Sequence, residues 1–196
     1  MHRPIPPASL LDLSELSDFG IRVTPAPEVW EWLQAEILAD TGSTHNEDHA
    51  HLLDANIRVM WASSSFEKQG RTVLGQAEQV AFRAGGWQKA RMEQQMCDWF
   101  GEVPAFIITL AADYCATCSD ADFCALLEHE LYHLAQATDK YGAPAFTKEG
   151  APKLKLRGHD VEEFVGVGKG GGHRRALQGY AALSFRSNRG RSRAGR

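Results

Sequence analysis

No stretch of this 196-residue chain approaches the run of about 20 apolar residues that a bilayer-spanning helix needs, so no membrane anchor is expected. The Pro-rich opening from Met1 to Pro7 lacks the apolar centre of a secretory signal, which points to a cytoplasmic protein. Cysteine is scarce. Its four copies, Cys97, Cys115, Cys118 and Cys124, crowd one region instead of spreading as a secreted disulfide framework does. The paired CxxC of a zinc ribbon is also missing, although Cys115 and Cys118 form one such pair. Free or half-buried thiols are therefore favoured over a structural zinc completed by Cys97 or a histidine. Gly168-Lys169-Gly170-Gly171-Gly172 has neither the spacing nor the Ser or Thr of a phosphate-binding loop.

Acidic residues are absent from residues 169–196, which hold Lys169 and seven Arg, whereas residues 1–168 carry 25 acids against 13 bases. The overall net charge of −4 thus conceals an acidic body and a basic end. That Gly-, Ser- and Arg-rich end cannot supply a core. It reads as a solubilising terminus, with weak nucleic-acid contact as the alternative. The remainder, in a chain of 43% hydrophobic residues, is long enough for one core. The expected division is a peripheral segment over 1–20, a domain over 21–168 and the basic segment 169–196.

Against these absences stands His129-Glu130-Leu131-Tyr132-His133, the HExxH pattern of zinc hydrolases. On a helix, positions four apart share a face, so His129 and His133 can turn ring nitrogens toward one ion. Glu130, about 100° round the helix from His129, can reach a metal-bound water. Ser119 or Asp120 is placed to cap a helix running from about 121 to about 138. Leu127, Leu131 and Leu134 form an apolar stripe away from the histidines, so one face is expected to bury and the other to bind.

The elements before the motif read as helix, strand, strand, helix, strand. Pro27 opens a helix through Leu38, Ile57 to Trp61 alternates as a strand, and Thr72 to Val80 reads as a second strand reached through the polar turn Glu67 to Gly70. A helix over Trp87 to Phe100 ends at Gly101, and Pro104 to Leu110 is the strongest strand. Thr138 to Leu156 is loop or hairpin, and Asp160 can cap a short helix over Val161 to Val167. The fold class is α+β, with a mixed sheet of three or slightly more strands packed on an N-terminal helix and on the motif helix.

An open zinc site takes three protein ligands, so one is missing from the motif. His159, at a loop-to-helix junction, is preferred over Glu162 or Glu163, while Asp160 suits a cap or an acceptor that orients a ligand. Tyr132, Tyr141 and Arg157 are unranked candidates for stabilising an oxyanion. The histidine-rich run Thr44 to His51 is a second tempting cluster, but with no rigid element evident beneath it a solvated loop is the favoured account.

The segment from Leu52 to Val167 resembles a known family through Asn56-Ile57, Leu74-Gly75, the FIITL strand, EHELYHL and GHDVEEF. It is similar to the phage metallopeptidases, small zincins related in plan to SprT-like proteases, over about three fifths of the chain. The resemblance implies a zincin-like fold, a Zn2+ cofactor, His129, His133 and His159 as metal ligands and Glu130 as general base. It implies hydrolysis of a peptide or protein substrate in the host cytoplasm. Two rivals stand beside this: a zinc-stabilised, non-catalytic protein that binds a host protein or nucleic acid, and a DNA-associated SprT-like protease.

Overall fold

The computed structural model describes residues 2–12 and 20–158. Asp160, the short helix expected over Val161 to Val167 and the basic segment 169–196 lie outside the described residues.

A four-stranded mixed sheet organises the molecule, and an α+β fold is what the structure shows. Its strands are β1 (Val23–Pro25), β2 (Ile57–Ala62), β6 (Phe106–Ala111) and β5 (Gly75–Gln79), in that spatial order. The two central strands are parallel, with Ile57 opposite Phe106 and Ala62 opposite Ala111, while β1 and β5 run antiparallel along the outer sides. Both central strands bury residues on both faces, which explains why β6 reads as the nearly continuous apolar run FIITLA.

On the sheet sits the helix α2 (Pro27–Leu33), started by Pro27 and extended by a π-helical turn over Gln34–Leu38. Its Glu28 carboxylate accepts the Trp61 indole N–H at 2.8 Å and so ties the helix to β2. The π turn ends against Gly42. A side-chain carbon there would lie 2.3 Å from the Glu36 carbonyl oxygen, so only glycine fits. A 3₁₀ helix, Glu47–Leu52, follows the Asn46 cap, whose side chain accepts the Asp48 N–H.

Two expectations need correcting, over Thr72 to Val80 and at the end of the motif helix. The strand expected over Thr72 to Val80 is two strands in two sheets, because the chain breaks at Leu74. β4 (Arg71–Val73) pairs back on β3 (Phe66–Lys68) in a separate hairpin whose turn holds Gln69 and Gly70 at positive φ, and only β5 joins the main sheet. The helix expected over Trp87 to Phe100 is present as α3 (Gly86–Phe100), closed by a left-handed Gly101 as expected, and it buries none of its residues. The motif helix α5 (Asp120–Tyr132) begins at its Ser119 cap but stops six residues short of the expected end.

Two short elements frame α5. Before it, α4 (Ala112–Cys115) continues from β6. After it, β7 (Leu134–Gln136) pairs antiparallel with β8 (Leu154–Leu156), so residues 138–152 return as a hairpin with bridges at Thr138–Pro144 and Phe146–Pro152. Residues 2–12, including the short helix α1 (Ala8–Leu11), lie against this framework with Leu10 buried. No described helix is long and apolar enough to cross a membrane.

The core centres on Phe123 of α5, which meets Trp32 edge-on at 5.6 Å and lies 6.5 Å from the Trp61 ring. Phe123 is fully buried. Replacing it by Ala is expected to cost about 3–5 kcal/mol, through lost transfer energy and the cavity left between two fixed tryptophans. Phe123→Leu should cost clearly less, and urea denaturation of both variants beside wild type measures the difference.

Candidate functional site

The HELYH segment is built into the last two turns of α5, and every residue from Phe123 to Tyr132 is buried. The expected division into a buried stripe and a binding face is therefore corrected. Leu127 and Leu131 are fully buried as expected, but Glu130 is only 2% and His129 only 7% exposed. Polar groups occupy the packed side as well.

The histidine pair does come together. The His129 and His133 rings meet edge to face with centroids 5.1 Å apart. His133 is the residue that closes α5 and keeps helical dihedrals, so the i, i+4 relation survives although the helix ends there. Its Nδ1 lies 2.8 Å from the Arg157 carbonyl oxygen, and the Arg157 N–H donates to the His133 carbonyl at 2.8 Å. This reciprocal contact holds the ring from the β8 side. Burial lowers the His133 pKa, so the neutral ring is favoured.

Glu130 points elsewhere, toward the outer strand β5. A side-chain carbon at Gly75 would lie 2.6 Å from Glu130 Oε1 and 3.0 Å from its Cδ and Cγ. The carboxyl is pressed against the strand backbone where only glycine leaves room. Burial drives its pKa up to about 8, against a smaller opposing pull from the Ala77 backbone N–H. Its Oε2 has no hydrogen-bond partner among the described residues. Leu74 and Val80 bond toward β6, accepting from the Ala111 N–H and donating to the Ala105 carbonyl respectively. By alternation the Ala77 N–H faces away from β6, toward the free side of β5. Glu130 therefore lies buried between α5 and the outer side of β5, the side that no strand of the main sheet pairs and that β8 approaches.

The metal reading does not survive this geometry. Among the described residues no group of three or more His, Cys, Asp or Glu is placed to hold a metal ion. The donors that do converge are two imidazoles, and an open zinc site needs three ligands. Of the residues expected to supply the third, His159, Glu162 and Glu163 all lie outside the described residues. The assignments of Zn2+ as cofactor, of a zinc-dependent HExxH hydrolase and of a zinc-stabilised binding protein are corrected accordingly. The cysteines form no metal site either. Cys97 is exposed, Cys115 and Cys124 are buried, Cys118 is half-buried, and all four are free thiols.

The oxyanion candidates separate by their contacts. Tyr132 donates its hydroxyl to Asp48 at 2.8 Å and accepts from Asn46 at 3.2 Å, so it is a structural hub. Burial raises its pKa to about 12. Tyr141 is 82% exposed on the hairpin beyond β7, beside Lys140. The Arg157 guanidinium stands over the Tyr132 ring at 5.9 Å.

Sequence reasoning missed the part played by the histidine-rich run. Instead of a solvated loop, residues 46–51 pack on the end of α5. Asn46 Nδ2 donates to Glu128 at 3.0 Å, and His51 Nε2 lies 2.7 Å from the Leu134 carbonyl oxygen. His49 is 1% exposed and meets the Tyr132 ring edge-on at 4.5 Å. Asp48, His49, His51, Tyr132 and Arg157 thereby line a polar cleft of about 350 Å³ beside β7. The signal was present in Asn46-Glu47-Asp48, a cap followed by first-turn acids, which announces a helical turn.

Two outcomes test this arrangement. Gly75→Ala should destabilise the protein by about 1–3 kcal/mol through overpacking against Glu130. The loss should shrink in the Glu130→Ala background, and a double-mutant cycle on urea midpoints reads the coupling. His49 supplies the pH test. Burial, then the neighbouring His51 charge, pushes its pKa down to about 3, with Arg157 acting in the same direction and Asp48 opposing. The unfolded chain takes up this proton near pH 6.5 and the folded chain does not, so stability is complete above pH 6.5 and falls as pH drops toward 3. The slope from this group is about 1.4 kcal/mol per pH unit at most. His49→Phe, which keeps a ring against Tyr132, should flatten the stability profile between pH 6 and 4 relative to wild type.

No curated protein and no solved structure matches the chain. A family model does match it, over residues 30–184, a span that takes in the end of α2, strands β2, β5 and β6 of the main sheet, the buried HELYH helix and β8. By that match the chain belongs to the family described as "Putative phage metallopeptidase".

Proposed function

We propose that this is a peptidase-like protein whose ligand is extended polypeptide, taken up as an added strand along the free side of β5. The observation that carries the reading is the position of Glu130, whose carboxyl lies against Gly75 on the outermost strand of the sheet. An edge strand presents unpaired N–H and C=O groups that an incoming segment can satisfy, which is the general basis of strand addition. The outward-facing groups of Gly75, Ala77 and Gln79 would give main-chain pairing, and the exposed Gln76, Glu78 and Gln79 side chains would contact alternate residues of the segment. Such pairing brings a peptide group of the ligand beside the Glu130 carboxyl. Glu130 is the residue we assign to proton exchange with it, and the family description supports a peptide rather than a small molecule.

The same reading keeps residues 21–168 as the unit that handles polypeptide and sets residues 1–20 and 169–196 as its flanks. The Ala77 N–H is the group on which strand addition depends most, since it would have to exchange the Glu130 carboxyl for the incoming segment. Proline at position 77 removes that N–H while leaving the bonds from Gln76 and Glu78 to β6 in place. Ala77→Pro should weaken binding of a fluorescein-labelled unfolded polypeptide at least ten-fold by anisotropy, with the circular dichroism spectrum unchanged. Equal binding by wild type and a folded Ala77→Pro variant would sink the proposal, as would no binding by either.

A further inference from the structure

The group of side chains before α5 is used by nothing described above. Cys115 ends α4, and Cys118 lies one turn later, its N–H donating to the Tyr114 carbonyl at 3.0 Å. Ala116 keeps helical dihedrals between them. Positions three apart on such a turn put their side-chain carbons about 5–6 Å apart, so the roughly 3.5–4.5 Å that a disulfide spans is reached only if the turn tightens by an ångström or so. The Cys118 S–H donates to the Cys115 carbonyl at 3.8 Å, which holds the second sulfur over the turn that carries the first.

Arg3 sets the pair apart from ordinary core thiols. Its guanidinium donates to the Cys118 carbonyl at 2.8 Å, to the Cys115 carbonyl at 3.1 Å and to Cys118 Sγ at 3.3 Å. It is only 16% exposed, pairs with Asp120 at 2.7 Å and lies over the Phe123 ring. A positive group held at this distance stabilises a thiolate. The neighbouring Cys115, and then Arg3, hold the Cys118 pKa down to about 7 against the effects of burial and Asp122. The Cys115 thiol is pushed up by Cys118 and by burial. One sulfur is a half-buried nucleophile and the other a fully buried partner.

We propose that Cys115 and Cys118 are a peroxide-reactive dithiol, with Cys118 the attacking sulfur, Arg3 its positioning residue and Cys115 the resolving thiol. The Cys118 thiolate attacks one oxygen of hydrogen peroxide. The O–O bond breaks, hydroxide leaves and Cys118 becomes a sulfenic acid. Cys115 sulfur then attacks Cys118 sulfur and breaks the S–O bond, and the departing hydroxide leaves as water with the Cys115 proton. Two thiols lose two electrons, and one peroxide becomes two waters once the first hydroxide is protonated. A low-molecular-weight dithiol reverses the change by exchange.

The test uses the full chain carrying Cys97→Ser, so that the exposed thiol on α3 cannot link two molecules. All four cysteines fall between Arg91 and Lys140 with no Lys or Arg among them, so trypsin cannot separate them. Cleavage before Asp113 and Asp120 isolates Cys115 and Cys118 in one peptide, Asp113 to Ser119, away from Cys124. After peroxide and then alkylation in denaturant, that peptide should escape alkylation and have lost two hydrogens, while Cys124 is alkylated. Dithiothreitol should restore both sites. With Cys115→Ser, Cys118 should accumulate a sulfenic acid that dimedone traps. Arg3→Ala should slow alkylation of Cys118 in the folded protein at pH 7 about three- to ten-fold, and Arg3→Lys should recover part of the rate. Full alkylation of both cysteines after peroxide, or a disulfide that uses Cys124, would overturn the proposal. So would an Arg3→Ala variant whose Cys118 reacts at the wild-type rate.

Discussion

Burial of α5 on every side of its second half is the constraint from which the rest of the molecule follows. Ten consecutive residues, Phe123 to Tyr132, have no solvent face, although four of them are Glu128, His129, Glu130 and Tyr132. Buried polar groups must find partners, and those partners fix the neighbouring elements in place. Glu128 and Tyr132 draw in the Asn46 cap and Asp48, which is why an otherwise polar run folds as a 3₁₀ helix against α5. His133 engages the Arg157 backbone and so brings the β7–β8 hairpin back to the helix end. Glu130 lies on β5, and Gly75 is required there because nothing larger clears its carboxyl.

Much of this was legible in the chain and some was not, and the division has physical causes. The HELYH helix, its Ser119 cap, the Pro27 helix and strands β2 and β6 all carry local signals, so their places could be read. The end of α5 could not. Leu134 to Gln136 are good helix formers, but the Leu134 carbonyl meets His51 and the segment pairs with Leu154 to Leu156, so tertiary contacts override propensity. The break at Leu74 was hidden because both halves of Thr72 to Val80 are extended and no proline or turn dipeptide separates them, so a change of strand partner leaves no such local mark. His49 looked exposed since its neighbours are polar, and only the packing of Tyr132 against it makes it a core residue.

The motif itself shows how far a local pattern reaches. The i, i+4 spacing secures two adjacent imidazoles, and the structure delivers them at 5.1 Å. A spacing rule says nothing about a third donor, nor about the direction of the carboxylate between the first two. Here that direction is set by a glycine 55 positions earlier in the sequence, on a strand that precedes the helix. The resemblance pointed to Leu74-Gly75 as a matching feature without its physical reason, which is the space that Glu130 occupies.

The position of Glu130 also bears on why β5 can exist as an edge at all. A free strand edge invites pairing with other chains, and folded proteins protect such edges with charge, bulges or covering elements. β5 has exposed Gln76, Glu78 and Gln79 side chains, its outward backbone at Ala77 pulls on the Glu130 carboxyl, and it is only five residues long. A neutral, buried acid is a weaker partner for an N–H than another backbone carbonyl aligned in a ladder, because its burial cost is offset by little else. The edge is therefore covered against casual pairing by the buried Glu130 carboxyl. Under the proposed strand addition, protection of the fold and recognition of an extended chain would depend on the same contact, and a change at Gly75 would alter both together.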